Sequence, residues 1–410
     1  MRVVVTGIGV VTPLGNNIDT LWKNLKKGVC GITKVDDPLY DLLPSKVWGR
    51  VKDFNATDYG MEPGFARKQD KFTLFAIAAA KQAVDQSGII SGDNVAPDRF
   101  GVYFGTGIGG FETVCREAVK MENDGPKWIS PHFVTAMIPN IAAGNIALRN
   151  NAQGPCFSGG TACATGTHMI GEAYRAIKHG YADVIITGGS EAPCVPMTLA
   201  AFGNMKALTK SEDSSRASLP FNADRDGFVL SEGAGALVLE SYEHAVKRGA
   251  TILAEVCGYG STCDAYHITA PRPDGTTQAA AIKSALKEAR FCGRRDVLYV
   301  NAHGTGTPLN DKSETLAFHL ALGRNAGKAI ISSTKSMLGH MLGAAGAVEA
   351  IISILALREG VVPPTIGLDN IDPECDLNYT PNKAVKAPLT IAASDSLGFG
   401  GHNSCIVFRK

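Results

Sequence analysis

Short apolar runs alternate along this chain with longer stretches in which apolar residues recur every three or four positions. The runs at 2–6 and 100–105 are apolar and end at or near glycines, so we predict buried strands there. The stretches 17–27 and 71–87 carry their apolar residues on one face, which predicts amphipathic helices. Buried strands that alternate with helices indicate a layered α/β fold.

The alternation continues to the end of the chain. The halves 1–250 and 251–410 have a similar order of elements, which suggests a duplicated unit with the two halves as domains, although no sequence repeat accompanies it. The later predicted elements are a helix after Cys163, a strand in 182–192, a strand and a helix in 235–250, a strand in 251–264, helices over 277–289, 313–322 and 346–358, strands over 297–302 and 329–332, and two strands around a glycine turn in 390–410.

Composition and charge narrow the class of protein. The chain has 410 residues, 45% of them hydrophobic and 19% charged, and a net charge of +1, which fits a globular enzyme and gives no sign of nucleic-acid or membrane binding. No apolar stretch reaches the roughly 18 residues of a spanning helix, and the first residues are too strand-like for a signal peptide. The ten cysteines form no CxxC pair, so we expect no metal site and a reducing, cytoplasmic location.

Cys163 is the first candidate for chemistry. Glycines and small residues precede it, and Met169, Ile170 and Ile177 lie on one face of the helix that follows. A thiol at a helix N-terminus is placed where the helix dipole and free N–H groups favour the thiolate. The alternative is an inert cysteine buried in the core.

Three other glycine-rich segments carry reactive or polar groups. His303 follows a predicted strand, and Thr305 and Thr307 stand on the adjoining glycine loop, at the strand end where α/β folds bind ligands. His340 precedes a helix of small residues. Phe399 stands among glycines that let a backbone N–H approach a ligand closely, although an ordinary hairpin turn is the alternative.

One motif is rejected. The segment 105–110, GTGIGG, has the spacing of a dinucleotide-binding loop after a predicted strand. It lies a hundred residues into the chain, and only Asp124 stands near the place of a ribose-binding acid. We therefore predict no dinucleotide site.

Taken together, the motifs around these residues resemble one family. TACATG around Cys163, NAHGTGTP around His303, KSMLGH from Lys335 to His340, and GFGG around Phe399 have the order and spacing of β-ketoacyl-acyl-carrier-protein synthases, most similarly the elongating Cys-His-His members of the synthase II group. The resemblance covers essentially the whole chain. It implies the thiolase fold, a duplicated five-layer αβαβα arrangement, and a homodimer.

The resemblance also implies a mechanism. Cys163 would take an acyl chain from acyl carrier protein as a thioester, with the backbone N–H groups of Cys163 and Phe399 holding the oxyanion. His303 and His340 would then stabilise the enolate formed when malonyl-acyl carrier protein loses carbon dioxide. The enolate would attack the acyl group in a decarboxylative Claisen condensation that yields a 3-oxoacyl chain. Lys335 would support the site electrostatically.

Binding residues follow from the same resemblance. Thr305 and Thr307 would hold the pantetheine arm, Ile108 and Phe202 would line the acyl pocket, and Glu349 would pair with Lys335. The enzyme would need no cofactor of its own, because phosphopantetheine arrives on the acyl carrier protein. A basic patch facing that acidic carrier would consist of Arg67, Lys68, Lys71, Lys127 and Lys206.

Related classes differ at named positions. A thiolase needs a second reactive cysteine in a C-terminal CxGxG segment, an initiating synthase pairs cysteine and histidine with asparagine, and a chain-length factor lacks the nucleophile. A polyketide ketosynthase shares all three catalytic residues and stays open as an alternative. This chain departs from the family at Asp395, where asparagine is usual.

Overall fold

A ten-stranded sheet runs through the computed structural model, which describes all 410 residues. Two small two-stranded sheets, β2 with β3 and β11 with β12, lie outside it. The strands are β1 (Val3–Val11), β2 (Thr33–Lys34), β3 (Val47–Trp48), β4 (Phe100–Gly105), β5 (Cys156–Phe157), β6 (Val184–Glu191), β7 (Gly233–Ser241), β8 (Ala254–Cys263), β9 (Leu298–Asn301), β10 (Ile330–Ser332), β11 (Val361–Val362), β12 (Val385–Lys386), β13 (Ile391–Gly398) and β14 (His402–Arg409).

The order of the large sheet is a repeat. One half runs β5-β4-β6-β7-β1 and the other β10-β9-β13-β14-β8, and β1 joins β8 through 3–5 and 254–256. Numbered along the chain within each half, both orders read third, second, fourth, fifth, first. The parallel and antiparallel pairings repeat as well, since β4 with β6 and β9 with β13 are parallel, whereas β6 with β7 and β13 with β14 are antiparallel.

Helices cover the two halves of the sheet in layers. The helix α3 packs on β1 and β7 at one outer face and α10 on β8 and β14 at the other, while α7 and α13 lie between the two halves and contact both. The helices are α1 (Ile18–Lys26), α2 (Pro63–Ala66), α3 (Lys71–Ser87), α4 (Phe111–Asp124), α5 (Phe133–Met137), α6 (Ile141–Asn150), α7 (Thr165–Lys178), α8 (Pro196–Asn204), α9 (Tyr242–Lys247), α10 (Thr276–Glu288), α11 (Pro308–Leu322), α12 (Lys335–Leu338) and α13 (Ala345–Glu359).

The middle layer holds the largest hydrophobic core. Residues 345–357 of α13 are all buried, so this helix is apolar on every side, as a helix between two sheets must be. None of the helices is long and apolar enough to span a membrane. The layered α/β prediction is confirmed, with sheet and helices arranged as αβαβα.

The structure differs from the predicted elements mainly at their ends. The first strand extends to Val11, because Gly7 and Gly9 lie in the strand against α3 instead of ending it. Helix α11 begins at Pro308 and not at 313, since proline suits the first helical position. The helices α4, α5, α6 and α8 have no counterpart among the predicted elements.

We predict that Gly9→Ala destabilises the protein by about 3 kcal/mol, because a new methyl group in this core overpacks it. A Cβ at Gly9 would lie 2.1 Å from the Ala79 carbonyl oxygen of α3, a backbone atom that cannot move aside. Urea denaturation measures the loss. Gly64→Ala in α2 is the control, since nothing lies within 4 Å of its Cβ position, and equal stability of the two variants would contradict this account of the packing.

Candidate active site

One cleft brings the four glycine-rich segments together. Cys163, His303, His340 and Phe399 all contribute to its wall, and the cleft encloses about 630 Å³ up to its open mouth. Cys163 precedes α7 and Phe399 follows β13. His303 follows β9, and His340 follows α12. The remaining lining residues are Phe202, Ala207, Phe228, Asp264, Thr269, Ala270, Pro271, Thr305, Thr307, Asn310, Leu397, Gly398, Gly401 and Asn403.

Cys163 lies on a sharp turn in front of α7. Ala162 has a φ of +50°, a left-handed conformation that is uncommon for a residue with a side chain. The Thr165 hydroxyl fixes this turn, because it accepts the Thr161 N–H at 2.8 Å and donates to the Ala162 carbonyl at 2.7 Å. The turn therefore presents the thiol to the cleft at the first residues of a helix.

The Phe399 loop lies directly against this turn. A Cβ on Gly398 would lie 2.4 Å from the Thr161 carbonyl oxygen and 3.3 Å from the Cys163 nitrogen, so only glycine allows the approach. The backbone N–H groups of Cys163 and Phe399 both lower the pKa of the Cys163 thiol. Two N–H donors directed at one atom form the kind of site that stabilises an oxyanion.

Burial nevertheless dominates the ionisation of the thiol. It raises the pKa of Cys163 to about 12; the buried Glu191 carboxylate adds to the rise, and the Lys335 ammonium acts against both. The N–H groups do favour the thiolate as predicted, but burial outweighs them in the resting site. The helix terminus is present, but the loss of water around the sulfur destabilises the thiolate more than the helix terminus and the Lys335 ammonium stabilise it.

The two histidines face each other at the opposite wall. Their ring centroids are 5.3 Å apart with the planes at 84°. A backbone hydrogen bond of 2.7 Å from the His340 N–H to the Val229 carbonyl holds His340. His303 stands two residues after β9, next to Gly304, whose φ is +35°.

A buried ion pair lies behind the histidines. The Lys335 Nζ contacts Glu349 Oε1, and each side chain is only 2% exposed. Burial and the Lys335 charge hold the pKa of His303 and of His340 well below its ordinary value. Both imidazoles are therefore neutral at physiological pH, and each can donate one hydrogen bond without carrying charge.

Three of the five predicted binding residues, Thr305, Thr307 and Phe202, line the cleft. The hydroxyls of Thr305 and Thr307 are 2.9 Å apart on the cleft wall. Phe202 packs against Phe228 and Phe399, with ring centroids 5.5 and 6.2 Å away. These aromatic rings make one end of the cleft apolar.

Glu349 forms the predicted ion pair with Lys335, and the role of Ile108 in the acyl pocket stays a prediction. The Glu349 carboxylate contacts the Lys335 ammonium behind the cleft and does not line the cleft. Ile108 does not line the cleft of this chain either, and its side chain is 37% exposed. Its backbone N–H donates to the Glu191 carboxylate at 3.1 Å.

Glu191 is a site residue that the sequence did not reveal. Its buried carboxylate accepts N–H groups from Gly107 at 2.7 Å and from Gly343 at 2.9 Å, besides the Thr106 hydroxyl at 2.7 Å. It thereby ties the GTGIGG segment to the loop that follows His340. Thr106, Gly107 and Ile108 of GTGIGG therefore bind this carboxylate, which gives the segment a structural role.

The basic residues predicted to face a carrier protein lie at the surface. Lys71 forms an ion pair with Glu112 at 3.0 Å, and Lys127 lies over the Trp128 ring. Lys206 is exposed and precedes Ala207, which lines the cleft. Lys206 is the only one of these five residues that adjoins a cleft-lining residue in the sequence. Arg67 and Lys68 are exposed just before α3.

Fold and cleft together define a carbon–carbon bond-forming condensing enzyme of the thiolase fold. Family models for the β-ketoacyl synthase N-terminal and C-terminal domains match residues 1–245 and 253–369. The chain belongs to the β-ketoacyl synthase family.

Several known proteins are similar over the full length. The chain is 46% identical to 3-oxoacyl-[acyl-carrier-protein] synthase 2 of Staphylococcus aureus, over 100% of this chain and 98% of that protein. It is 44% identical to the protein of the same name from Synechocystis sp., with the same coverage. A solved β-ketoacyl synthase from Burkholderia phymatum superposes with a TM-score of 0.92 at 33% identity, over 100% of this chain and 99% of that one. A type II polyketide ketosynthase solved with its acyl carrier protein gives 0.92 at 35%, over 100% and 98%.

We predict that iodoacetamide alkylates Cys163 slowly at pH 7 and about tenfold faster for each pH unit up to pH 10, because only the thiolate reacts. Lys335→Met slows the reaction further, since it removes the cation that lowers the pKa of the thiol. Mass spectrometry of the Cys163 peptide measures the rate, with exposed Cys292 as the internal reference and Lys328→Met as the control variant. A rate that stays constant from pH 7 to 9 would mean that the resting thiol is already ionised.

Proposed function

We propose that this protein is a 3-oxoacyl-[acyl-carrier-protein] synthase that elongates fatty acyl chains by decarboxylative Claisen condensation. The observation that carries the proposal is the single cleft in which a cysteine thiol, two backbone N–H donors and two neutral histidines converge. A thiol that forms an acyl-enzyme and a pair of neutral donors that stabilise an enolate are the two needs of this reaction.

In the first half of the proposed reaction, the Cys163 sulfur attacks the thioester carbonyl of acyl-acyl carrier protein. The backbone N–H groups of Cys163 and Phe399 hold the tetrahedral oxyanion, which collapses to acyl-Cys163 and releases the carrier thiol. Because burial raises the pKa of Cys163, the thiol proton leaves as the carbon–sulfur bond forms, and the departing carrier sulfur takes up a proton to leave as the thiol. The adjoining apolar rings of Phe202 and Phe399 receive the acyl chain.

In the second half, malonyl-acyl carrier protein occupies the same cleft. His303 and His340 donate hydrogen bonds to its thioester oxygen, on which negative charge develops as carbon dioxide leaves. A single preorganised oxyanion donor contributes about 3 kcal/mol, and two are supplied here. The enolate carbon then attacks the acyl-Cys163 carbonyl, the carbon–sulfur bond breaks, and the chain is two carbons longer.

The proposed partner is acyl carrier protein, which brings the phosphopantetheine arm, so the enzyme needs no cofactor of its own. The Thr305 and Thr307 hydroxyls suit the amides of that arm, since they stand together on the cleft wall. The solved polyketide ketosynthase with its acyl carrier protein has the same fold as this chain. Docking through Lys206, beside the cleft, is part of the proposal.

The assay for this function combines the protein with malonyl-acyl carrier protein and acyl-acyl carrier proteins of increasing length. We expect 3-oxoacyl products from the wild type and a loss of at least about a hundredfold for Cys163→Ser, because a neutral hydroxyl is a poor nucleophile at this site. Mass spectrometry of the carrier protein identifies the products. Cys292→Ser, at an exposed cysteine, is the matched control.

The histidine roles have a separate readout. Release of carbon dioxide from malonyl-acyl carrier protein should fall by about a hundredfold in His303→Ala, as expected for one lost oxyanion donor. Unchanged decarboxylation would contradict the role given to His303. Products with several unreduced keto groups, in place of a single two-carbon extension, would favour a polyketide ketosynthase.

We propose further that two chains form a homodimer and that each consists of halves 1–250 and 251–410. The dimer proposal is supported by β5, which ends the large sheet with an open edge, and by apolar side chains around it. Phe157 on that strand is 47% exposed and Val134 on α5 is 60% exposed. An open edge strand with exposed apolar neighbours is suited to pairing with another chain.

Light scattering after size exclusion tests the dimer. We expect twice the 43.1 kDa mass of one chain. Phe157→Glu should shift the population toward monomer, because a charge buried at the interface is unfavourable. Ile90→Glu, at an exposed apolar residue after α3, should leave the mass unchanged. A wild type of 43.1 kDa at assay concentration would contradict the proposal.

A further inference from the structure

A buried histidine, His168, lies on the first turn of α7, five residues after Cys163. It takes no part in the condensation steps described above. The Thr161 hydroxyl oxygen lies 2.9 Å from its Nδ1, and the Ala164 carbonyl oxygen lies 3.2 Å from the same nitrogen. The Ser261 hydroxyl oxygen lies 3.1 Å from its Nε2. The imidazole therefore joins the turn that carries the nucleophile to strand β8.

The partners of the imidazole define its protonation. Burial, followed by the neighbouring His402 ring, lowers the pKa of His168 to about 4, so the imidazole is neutral at physiological pH and carries one N–H. The Ala164 carbonyl oxygen can only accept, which places that N–H on Nδ1. The Nδ1–H also faces the Thr161 hydroxyl oxygen, and the lone pair of Nε2 accepts the Ser261 hydroxyl proton. Both ring nitrogens are thus satisfied.

Two further rings pack against this imidazole. Tyr259 on β8 and His402 at the start of β14 lie edge-on to it, with ring centroids 6.3 and 6.1 Å away. His402 directly follows the glycine loop of Phe399, and a Cβ on Gly400 in that loop would lie 3.2 Å from the His402 ring. The imidazole of His168 therefore packs against the strand that continues from the Phe399 loop, besides bonding to the nucleophile turn.

Thr161 is the residue through which His168 reaches the oxyanion site. Its hydroxyl faces the imidazole Nδ1–H, and its backbone N–H donates to the Thr165 hydroxyl at 2.8 Å. Its carbonyl oxygen is the atom that a Cβ on Gly398 would meet at 2.4 Å. Thr161 is thereby held between α7 on one side and the Phe399 loop on the other.

The two oxyanion donors lie on either side of this backbone contact. The Cys163 N–H comes two residues after Thr161, and the Phe399 N–H comes one residue after Gly398. Since the contact between Thr161 and Gly398 sets the spacing of the two segments, a displacement of Thr161 changes the distance between the two N–H groups. Oxyanion donors act only when they are aimed at the developing charge, and a misplacement of about 1 Å can cost about a hundredfold in rate.

We propose that His168 is a positioning residue for the oxyanion site. Its Nδ1–H holds the Thr161 hydroxyl, and Thr161 in turn fixes the spacing between the Cys163 and Phe399 N–H groups. The inference rests on the proposed function and deepens it. His168 serves the two steps in which a tetrahedral oxyanion forms, which are acyl transfer to Cys163 and attack of the enolate on acyl-Cys163. Decarboxylation uses the two catalytic histidines and does not depend on it.

The test measures acyl transfer and decarboxylation separately. Acyl transfer from acyl-acyl carrier protein is followed by mass spectrometry of the Cys163 peptide, and release of carbon dioxide from malonyl-acyl carrier protein is followed without an acyl donor. We expect His168→Leu to lower the kcat of acyl transfer about tenfold with little change in KM, because the oxyanion exists only near the transition state. Carbon dioxide release should stay within about twofold of the wild type, since its donors are intact.

Conservative variants separate the two ring nitrogens. His168→Asn places an amide N–H near the position of Nδ1 and should keep acyl transfer within about threefold of the wild type. His168→Gln reaches toward Ser261 and leaves the Thr161 hydroxyl without its donor, so it should be as slow as His168→Leu. His179→Leu, at an exposed histidine at the end of the same helix, is the control and should leave both rates unchanged.

The outcomes separate this inference from the proposed function. Acyl transfer at the wild-type rate in His168→Leu overturns the positioning role, and so does an equal loss of acyl transfer and carbon dioxide release. A wild type that forms no acyl-Cys163 overturns the proposed function and this inference with it. If His168→Leu does not fold, Thr161→Val removes the hydroxyl at the other end of the same hydrogen bond and should show the same selective loss of acyl transfer.

Discussion

The close crossing of α7 and α13 is the constraint on which the site depends. A Cβ on Gly166 would lie 2.6 Å from the Ala347 nitrogen, and one on Gly346 would lie 2.1 Å from the Thr167 hydroxyl oxygen. The contact is made by the first turns of both helices, and Cys163 and His340 stand just before those turns. Since the crossing leaves no room for a side chain, it sets the distance between nucleophile and histidine across the two halves of the sheet.

Exclusion of water sets the charge states around that crossing. It keeps the Cys163 thiol protonated, and together with the buried Lys335 charge it keeps both histidines neutral. A neutral histidine pair and a cation held behind it suit a reaction in which negative charge is transient. The same exclusion of water raises the pKa of Asp395 and of Glu314.

Much of the fold could be predicted because its signals are local. The strand 100–105 and the helix 71–87 have the predicted bounds, since each has an uninterrupted apolar pattern and a clear end. The clusters around Cys163 and His303 stood out for a similar reason, because glycines and reactive side chains are adjacent in the sequence. Glu191 did not stand out, because its N–H donors come from residues 107 and 343, far away along the chain.

The sequence by itself therefore determined the strands and helices, the family resemblance and the segments that carry the reactive groups, because periodicity and adjacent motifs are properties of neighbouring residues. The tertiary structure alone decided that Ile108 lies outside the cleft of this chain, that burial raises the pKa of the Cys163 thiol and that Glu191 joins residues 107 and 343. Each of these depends on which distant segments exclude water from a group, and that exclusion exists only once the layers have packed.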